Sequence, residues 1–264
     1  MPAATTPAIV VTGASGGIGE HLAYEFAREK SAMLLVARSK DGLERVAAEC
    51  AKRGATPVEI MPLDLARIDA IDQLEARIVA LGFHVETLVN NAGYALSGPF
   101  ATLDEPGELG MVDLNIRALT ALCRRFLPGM IERGKGGILN LASTAAFAPG
   151  PLMAVYYASK AYVLSFSRAL DAEVGGRGVT ITALCPGPTW SGFQARAGLE
   201  HARLMRLMPL MTAAKVAAIG YRGFRAGKTT IIAGTMNRIM AQSSRLAPAS
   251  VLTAMTKYLH RTAQ

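Results

Sequence analysis

The 264-residue chain predicts an α/β fold: one doubly wound sheet of about seven parallel strands, with helices on both faces. Three observations carry this. Short β-rich apolar runs alternate with longer helical stretches, which calls for right-handed crossovers and hence parallel pairing. The runs are continuously apolar rather than alternating, so both faces of the sheet are covered. No repeat, low-complexity tract or linker interrupts the succession, so residues 1–264 read as one domain. A composition of 51% hydrophobic and 18% charged residues supports a sizeable core.

The elements follow in order. AIVVT (8–12) is the first strand, and a glycine-rich turn leads into a helix over Gly17–Lys30. AMLLVA (32–37) precedes a helix over Gly42–Arg53, and PVEIMP (57–62) precedes one over Ile68–Leu81. TLVNN (87–91) is followed by a long helix, Met111–Arg133, and GILNLA (137–142) by Val155–Val174. VTITALC (179–185) and TTIIAG (229–234) complete the strands. Between these last two, residues from about 190 to 228 are basic, methionine-rich and helical in tendency. An insertion there, over the carboxyl ends of the strands, is predicted to form a substrate lid. In the tail, about 237–264, Val251, Leu252, Met255, Tyr258 and Leu259 share one apolar helix face. Packing on the body or on another subunit is favoured for that face over peripheral membrane contact.

Charge is unevenly distributed. Residues 1–191 hold 17 basic and 19 acidic side chains, a net of −2, whereas 192–264 hold 11 basic residues and one acid, Glu200, a net of +10. This asymmetry points to a polyanionic partner or to a solvated basic face. No apolar run approaches the ~18 residues of a membrane span. The N-terminal MPAATTPAIVVTG lacks the basic and apolar regions of a signal peptide, and Cys50, Cys123 and Cys185 show no CxxC spacing. A cytoplasmic protein with reduced, mostly buried thiols is expected. The four histidines form no ligand pattern, so no metal site is predicted.

In VVTGASGGIGEHLAYEF, Gly13, Gly17 and Gly19 lie between a buried strand and an amphipathic helix. Glycines there let the backbone approach a pyrophosphate at the helix N-terminus, where free N–H groups and the helix dipole favour anions. At the end of the second strand, where an NAD-specific site would place a carboxylate, Ala37 is followed by Arg38. A guanidinium there grips a 2′-phosphate, so NADP(H) is favoured over NAD(H). Asp64, after the third strand, could accept from an adenine amino group or cap a helix. VNNAGY, ending at Tyr94, would run along the cofactor.

VYYASKAY (155–162) holds three tyrosines and one lysine. Only Tyr156 has a lysine four residues on, Lys160, and one helical turn brings the two onto one face. An ammonium beside a phenol lowers its pKa, so the pair can act as a general acid/base. Ser143 ends a strand 13 residues earlier, Asn115 sits among apolar residues of the long helix, and CPGPTWS follows the sixth strand.

Together TGxxxGxG (Thr12–Gly19), NNAG (Asn90–Gly93), Asn115, Ser143, YxxxK (Tyr156, Lys160) and Pro186–Gly187 strongly resemble the short-chain dehydrogenase/reductase family, in its compact single-domain branch, over about residues 8–192. The resemblance implies a Rossmann-type fold and a catalytic tetrad of Asn115, Ser143, Tyr156 and Lys160. It implies hydride exchange between a nicotinamide and a carbonyl, with Tyr156 moving the proton, Ser143 holding the oxygen and Asn115 a water beside Lys160. Cofactor contacts would come from Gly13, Ser15, Gly17, Ile18, Gly19, Arg38, Asp64, Leu65, Asn91, Ala92, Gly93, Tyr156, Lys160, Pro186, Gly187 and Thr189. Ser191 stands where many members have Thr, and Gly16 where many NADP-using members have Lys or Arg. The expected pocket draws on Tyr94, Leu96, Phe147, Leu152, Met153, Tyr157, Trp190 and Phe193. The leading expectation is a reductase of an apolar small-molecule carbonyl, or alcohol dehydrogenase in reverse, assembled as a homodimer or homotetramer. A 3-oxoacyl-thioester reductase, its phosphates met by Arg203, Arg206 or Lys215, and a non-catalytic NADP-binding redox regulator are the alternatives. Nucleic acid is not an expected partner.

Overall fold

A computed structural model of the chain describes residues 5–190, 192, 197–198, 202–208, 210–244 and 247–260. Ser191 and Phe193, named above, and the side chain of Arg206 lie outside the described residues. The strands are β1 (Thr6–Thr12), β2 (Ala32–Ala37), β3 (Val58–Pro62), β4 (Phe83–Asn90), β5 (Gly136–Leu141), β6 (Val179–Cys185), the two-residue β7 (Thr189–Trp190) and β8 (Met211–Thr212), and β9 (Thr230–Ile232). Seven of them form one sheet in the order β3-β2-β1-β4-β5-β6-β9, all parallel. β7 and β8 pair apart from it. The helices are α1 (Gly17–Ala27), α2 (Lys40–Lys52), α3 (Ala70–Ala80), α4 (Glu105–Val112), α5 (Leu119–Glu132), α6 (Ala154–Val174), α7 (Arg203–Leu207), α8 (Ala213–Arg225), α9 (Thr235–Ser243) and α10 (Ala249–His260).

The continuous apolar strands are explained by two cores. Ile9, Val11, Met33, Leu35, Val89, Leu139 and Leu184 meet Leu22 and Phe26 of α1, Leu43 and Val46 of α2, and Val216 and Phe224 of α8. Val10, Leu34, Val36, Leu88, Ile138 and Ile181 point the other way, onto Leu74 and Ile78 of α3, Leu119 and Leu122 of α5, and Val163 and Leu164 of α6. Each such side chain contributes about 1.5–3 kcal/mol by leaving water. From β1 the chain winds outward through β2 to β3, then returns to β4 on the other side of β1. That reversal leaves a crevice beyond the carboxyl ends of β1 and β4, where open α/β sheets place their ligands.

Three elements differ from the sequence expectation. The long helix begins at Glu105, not Met111. Asp104 accepts from the Gly107 N–H at 2.8 Å and Pro106 lies in the first turn, and this start outweighs the poor helix propensity of Gly107 and Gly110. Within it, Asp113–Ala118 is a π turn joining α4 to α5. The stretch 190–228 divides. Its second half is α8, which packs on α1 with the Phe26 ring 5.1 Å from Tyr221 and 5.8 Å from Phe224, and leads into β9. Among the described residues, no helix is long and apolar enough to cross a membrane.

Candidate active site

The glycine turn is shaped by close approach. Gly13 and Gly17 have φ of +63° and +60°, a region that disfavours side chains. A Cβ on Gly19 would lie 2.3 Å from the Gly13 carbonyl oxygen, so only glycine lets α1 start there. Thr12 ties the turn to β4: its hydroxyl donates to Val89 O (3.1 Å) and accepts from the N–H groups of Asn91 (3.0 Å) and Ala92 (3.1 Å). The Asn91 amide donates in turn to the carbonyls of Thr12 and Gly13. Gly16, at the N-cap of α1, offers no side-chain acceptor to the first turn, and a Cβ there would meet nothing within 4 Å.

From this turn a cavity of about 670 Å³ runs past Arg38, Asp64 and Leu65 to Asn91–Gly93, then to Ser143, Tyr156, Lys160 and the Pro186–Thr189 segment. Gly19, expected among the contacts, does not line it and acts through the close approach just described. Arg38 lies exposed at the rim and makes no ion pair among the described residues, whereas Arg45 nearby is committed to Glu20. Asp64 accepts from the Ala66 N–H at 3.0 Å. The donors of the α1 turn, an uncommitted guanidinium and an extended cavity fit a nicotinamide dinucleotide. They would hold its pyrophosphate at Gly13–Ile18 and its adenosine end by Arg38, Asp64 and Leu65.

The four tetrad candidates converge at the far end. Ser143 caps the turn after β5, accepting from the Ala145 N–H (3.1 Å), and its hydroxyl hydrogen-bonds the Tyr156 phenol. Lys160 Nζ lies 5.8 Å from the centre of the Tyr156 ring and donates to Leu141 O at 2.7 Å. The π turn directs Asn115 at the strand-end loop after β4. Its amide oxygen accepts from the Tyr94 N–H (3.2 Å), and its nitrogen donates to Tyr94 O (3.0 Å) and Ser159 Oγ (3.1 Å). A Cβ on Gly93 would meet Asn115 Oδ1 at 2.9 Å and Lys160 Nζ at 3.6 Å, so the missing side chain keeps these two neighbours together.

The electrostatics correct one expectation. The lysine was expected to depress the Tyr156 pKa; here burial pushes the phenol up to about 12, and the Ser143 hydrogen bond is the opposing influence. Burial likewise lowers Lys160 to about 8, so the ammonium is a weaker partner than sequence spacing implies.

Of the expected substrate wall, Tyr94, Phe147, Met153 and Tyr157 line the cavity, while Leu96 and Leu152 do not and Trp190 is 61% exposed. Trp190 belongs to β7, whose pairing with β8 turns it outward. The missing wall comes from elements that the sequence left to lid or tail: Leu204, Met205 and Met208 at α7, Met240 and Ala241 of α9, and Val251, Leu252, Met255, Leu259 and His260 of α10. The tail helix therefore packs on its own body, with Thr256 donating to Pro149 O at 2.8 Å. Its apolar face is divided: Leu252 is buried, whereas Val251, Met255 and Tyr258 remain 55%, 42% and 53% exposed. Arg203 stacks over Tyr258 at 4.5 Å, and neither it nor Lys215 lines the cavity.

Several positioning roles escaped sequence reasoning, although Asn90 was named within the NNAG motif. Asn90 and Asn140, in register on β4 and β5, form a buried chain: Asn90 Nδ2 to Asn140 Oδ1 (2.9 Å), then Asn140 Nδ2 to Ser167 Oγ (2.9 Å). An amide inside an apolar strand was the available signal. Asn237 donates to Ala233 O and covers Gly187, where a Cβ would lie 2.4 Å from its amide nitrogen. Nothing local marked Asn237 or His260.

Comparison with known proteins agrees with this geometry. Residues 7–201 match the family described as short chain dehydrogenase. The chain is 38% identical over 183 residues to a very-long-chain 3-oxoacyl-CoA reductase of Anas platyrhynchos, an alignment covering 67% of this chain and 58% of that one. The match thus spans less than two thirds of that relative's length. Among solved structures, a short-chain dehydrogenase from Sphingobium yanoikuyae in complex with NADPH superposes with a TM-score of 0.80 at 31% identity, covering 91% of this chain and 93% of that one. A 3-ketoacyl-(acyl-carrier-protein) reductase from Brucella melitensis complexed with NADH gives 0.72 at 26% identity, covering 87% and 97%. The chain belongs to the short-chain dehydrogenase/reductase family of oxidoreductases, built on a Rossmann-type sheet.

Proposed function

We propose that this enzyme is an NADP(H)-dependent reductase of apolar carbonyl compounds, with Tyr156 as general acid and the reverse alcohol oxidation available to the same site. The observation that carries the reading is the Ser143–Tyr156 hydrogen bond at the end of a cavity that begins at the glycine turn. A nicotinamide dinucleotide held by the Gly13–Ile18 turn, Arg38 and Asp64 would supply the hydride. Tyr156, held protonated by its high pKa, gives its proton to the substrate oxygen. Ser143 holds that oxygen and stabilises its growing negative charge. Lys160, anchored on Leu141 O, lies beside Tyr156 and would bind the nicotinamide ribose while easing loss of the phenolic proton. Asn115 positions the Tyr94 backbone and α6 through Ser159, and its place beside Lys160 at Gly93 supports a relay to solvent. Arg38 supports the preference for the 2′-phosphate, and Met208, Met240 and Leu259 support an apolar substrate.

A 3-oxoacyl thioester is the second reading, favoured by the apolar wall from α7, α9 and α10, which suits a chain rather than a compact ketone. The cations lining the cavity, among the described residues, are Arg38 and Lys160, so thioester phosphates would lie outside it. Assembly through the helices carrying Asn115 and Tyr156, with Leu109 and Val112 exposed on α4, belongs to the same proposal, as does a cytoplasmic setting. The test is ketone-dependent NADPH oxidation by the purified protein. Activity in the wild type with orders-of-magnitude loss in Tyr156→Phe at retained NADPH affinity is expected; equal rates would remove Tyr156 from its role.

A further inference from the structure

Tyr157, one residue past Tyr156, also lines the cavity, with the two ring centres 6.1 Å apart. Its hydroxyl lies 2.6 Å from Nε2 of His260, at the last turn of α10. His260 is 6% exposed, and its other ring nitrogen, Nδ1, is buried without a hydrogen-bond partner among the described residues. The imidazole is neutral, because burial lowers its pKa to about 4. Its single ring proton resides on one nitrogen or the other. An N–H buried without an acceptor is rarer and costlier than an acceptor left empty, so the bare nitrogen is Nδ1 and the proton is on Nε2. Nε2–H then donates to the Tyr157 oxygen, and the Tyr157 O–H is left with its own proton unspent. That phenol stays protonated, because burial raises its pKa. With Nε2 protonated, that O–H has no acceptor among the described residues, and the space beside it is the substrate end of the cavity.

We propose that Tyr157, oriented by His260, is a specificity-determining residue that donates a hydrogen bond to a second oxygen of the substrate. This rests on the carbonyl-reductase reading. It narrows the substrate to a 1,3-dicarbonyl class: one carbonyl at Tyr156 and Ser143, the other accepting from Tyr157, and an apolar chain along Met240, Leu252 and Met255. A monoketone leaves the Tyr157 donor buried and unpaired, which is how a polar site rejects an analogue lacking the matching group. Close neighbours fix the Tyr157 ring in the orientation this contact needs. A Cβ on Gly150 would fall 2.1 Å from it, and the His260 ring stands nearly perpendicular to it with the ring centres 5.4 Å apart.

The experiment compares ethyl 3-oxooctanoate with 6-undecanone, which match in chain length and in the position of the reacting carbonyl but differ in the ester group, whose carbonyl and alkoxy oxygens the ketone lacks. Wild type, Tyr157→Phe, His260→Phe and His260→Gln are assayed with NADPH, and the quantity read is the ratio of kcat/KM for the oxo ester to that for the ketone. Tyr157→Phe should lower this ratio about tenfold or more, through KM rather than kcat. His260→Phe should follow it, and His260→Gln, which retains a donor for Tyr157, should recover most of the ratio. An unchanged ratio in Tyr157→Phe, or equal losses on both substrates, overturns the proposal. Independently, the ¹⁵N shifts of the His260 ring, assigned with His260→Gln, should report protonated Nε2 and bare Nδ1; the opposite tautomer overturns the donor assignment. A wild type that reduces neither compound defeats the reductase reading itself and takes the proposal with it.

Discussion

At the glycine-turn end of the cavity, polar groups in the wall or directly behind it are fixed by hydrogen bonds: Thr12 to three groups of β4 and its loop, Asn91 to the glycine turn, Asn115 to Tyr94 and Ser159, Lys160 to Leu141. Between Leu204 and His260 the wall is rich in methionine and leucine on short helices, joined to the body by the Thr256–Pro149 and Tyr157–His260 hydrogen bonds, while Arg203 of α7 stacks on Tyr258 of α10. The first wall faces a ligand whose chemistry does not vary, and directional bonds hold atoms where hydride and proton must travel. On the proposed function the second faces the substrate, and the soft, unbranched side chains of Met205, Met208, Met240 and Met255 can repack around it.

Substitutions can break this contrast. The largest effect is expected for Tyr156→Phe, with kcat falling about 10³-fold, within the range for losing a positioned acid, while NADPH affinity measured by fluorescence stays within about twofold. A loss of both together would mean that the tyrosine belongs to the cofactor wall alone. Next, Lys160→Met should stabilise the ligand-free protein at pH 7 by about 2–3 kcal/mol in urea denaturation. The sign follows from a folded pKa of about 8 below the ordinary 10.5. The unfolded chain binds more protons between these values, so wild-type stability rises with pH across the window, and the advantage of the methionine vanishes above about 10.5. A pH-independent difference would contradict the buried ammonium.

Arg38→Asp should shift the NADPH/NADH ratio of kcat/KM toward NADH by about a hundredfold, since a carboxylate repels the 2′-phosphate and accepts from a 2′-hydroxyl. An unchanged ratio would place phosphate reading elsewhere. The smallest effect is expected for Leu252→Ala on the enclosing wall. KM for a long-chain ketone should rise about fivefold, with NADPH affinity unchanged and an unfolding cost below the ~2–5 kcal/mol of a rigid core site, because α10 can settle into the space. A full core-sized cost would show that α10 is as rigid as the sheet.

The same contrast explains what the sequence disclosed. The strands and their parallel pairing, the glycine turn, and the spacing of Ser143, Tyr156 and Lys160 were legible because each rests on a local rule: apolar runs, φ-permissive glycines, one helical turn. The π turn was not, since Asp113–Ala118 has ordinary helical composition and no local residue marks the widening. Nor was the substrate wall, because Trp190, expected inside, faces out, while His260, 103 residues from Tyr157, closes the cavity. Burial also reversed the expected direction for Tyr156, which a count of neighbouring charges does not foresee.

The π turn has one more consequence. A widened turn accommodates one residue more than regular α-helical bonding, so shortening 113–118 by a single residue is the edit that would restore an uninterrupted rod from Glu105 to Glu132. The extra residue is taken up within the widened turn, so α4 and α5 would keep nearly the same phase, with Leu109 and Val112 still facing outward. Only the local bulge would go, and with it the position from which Asn115 reaches Tyr94 and Ser159. One extra peptide unit thus places a single amide while leaving the outward-facing surface where it is.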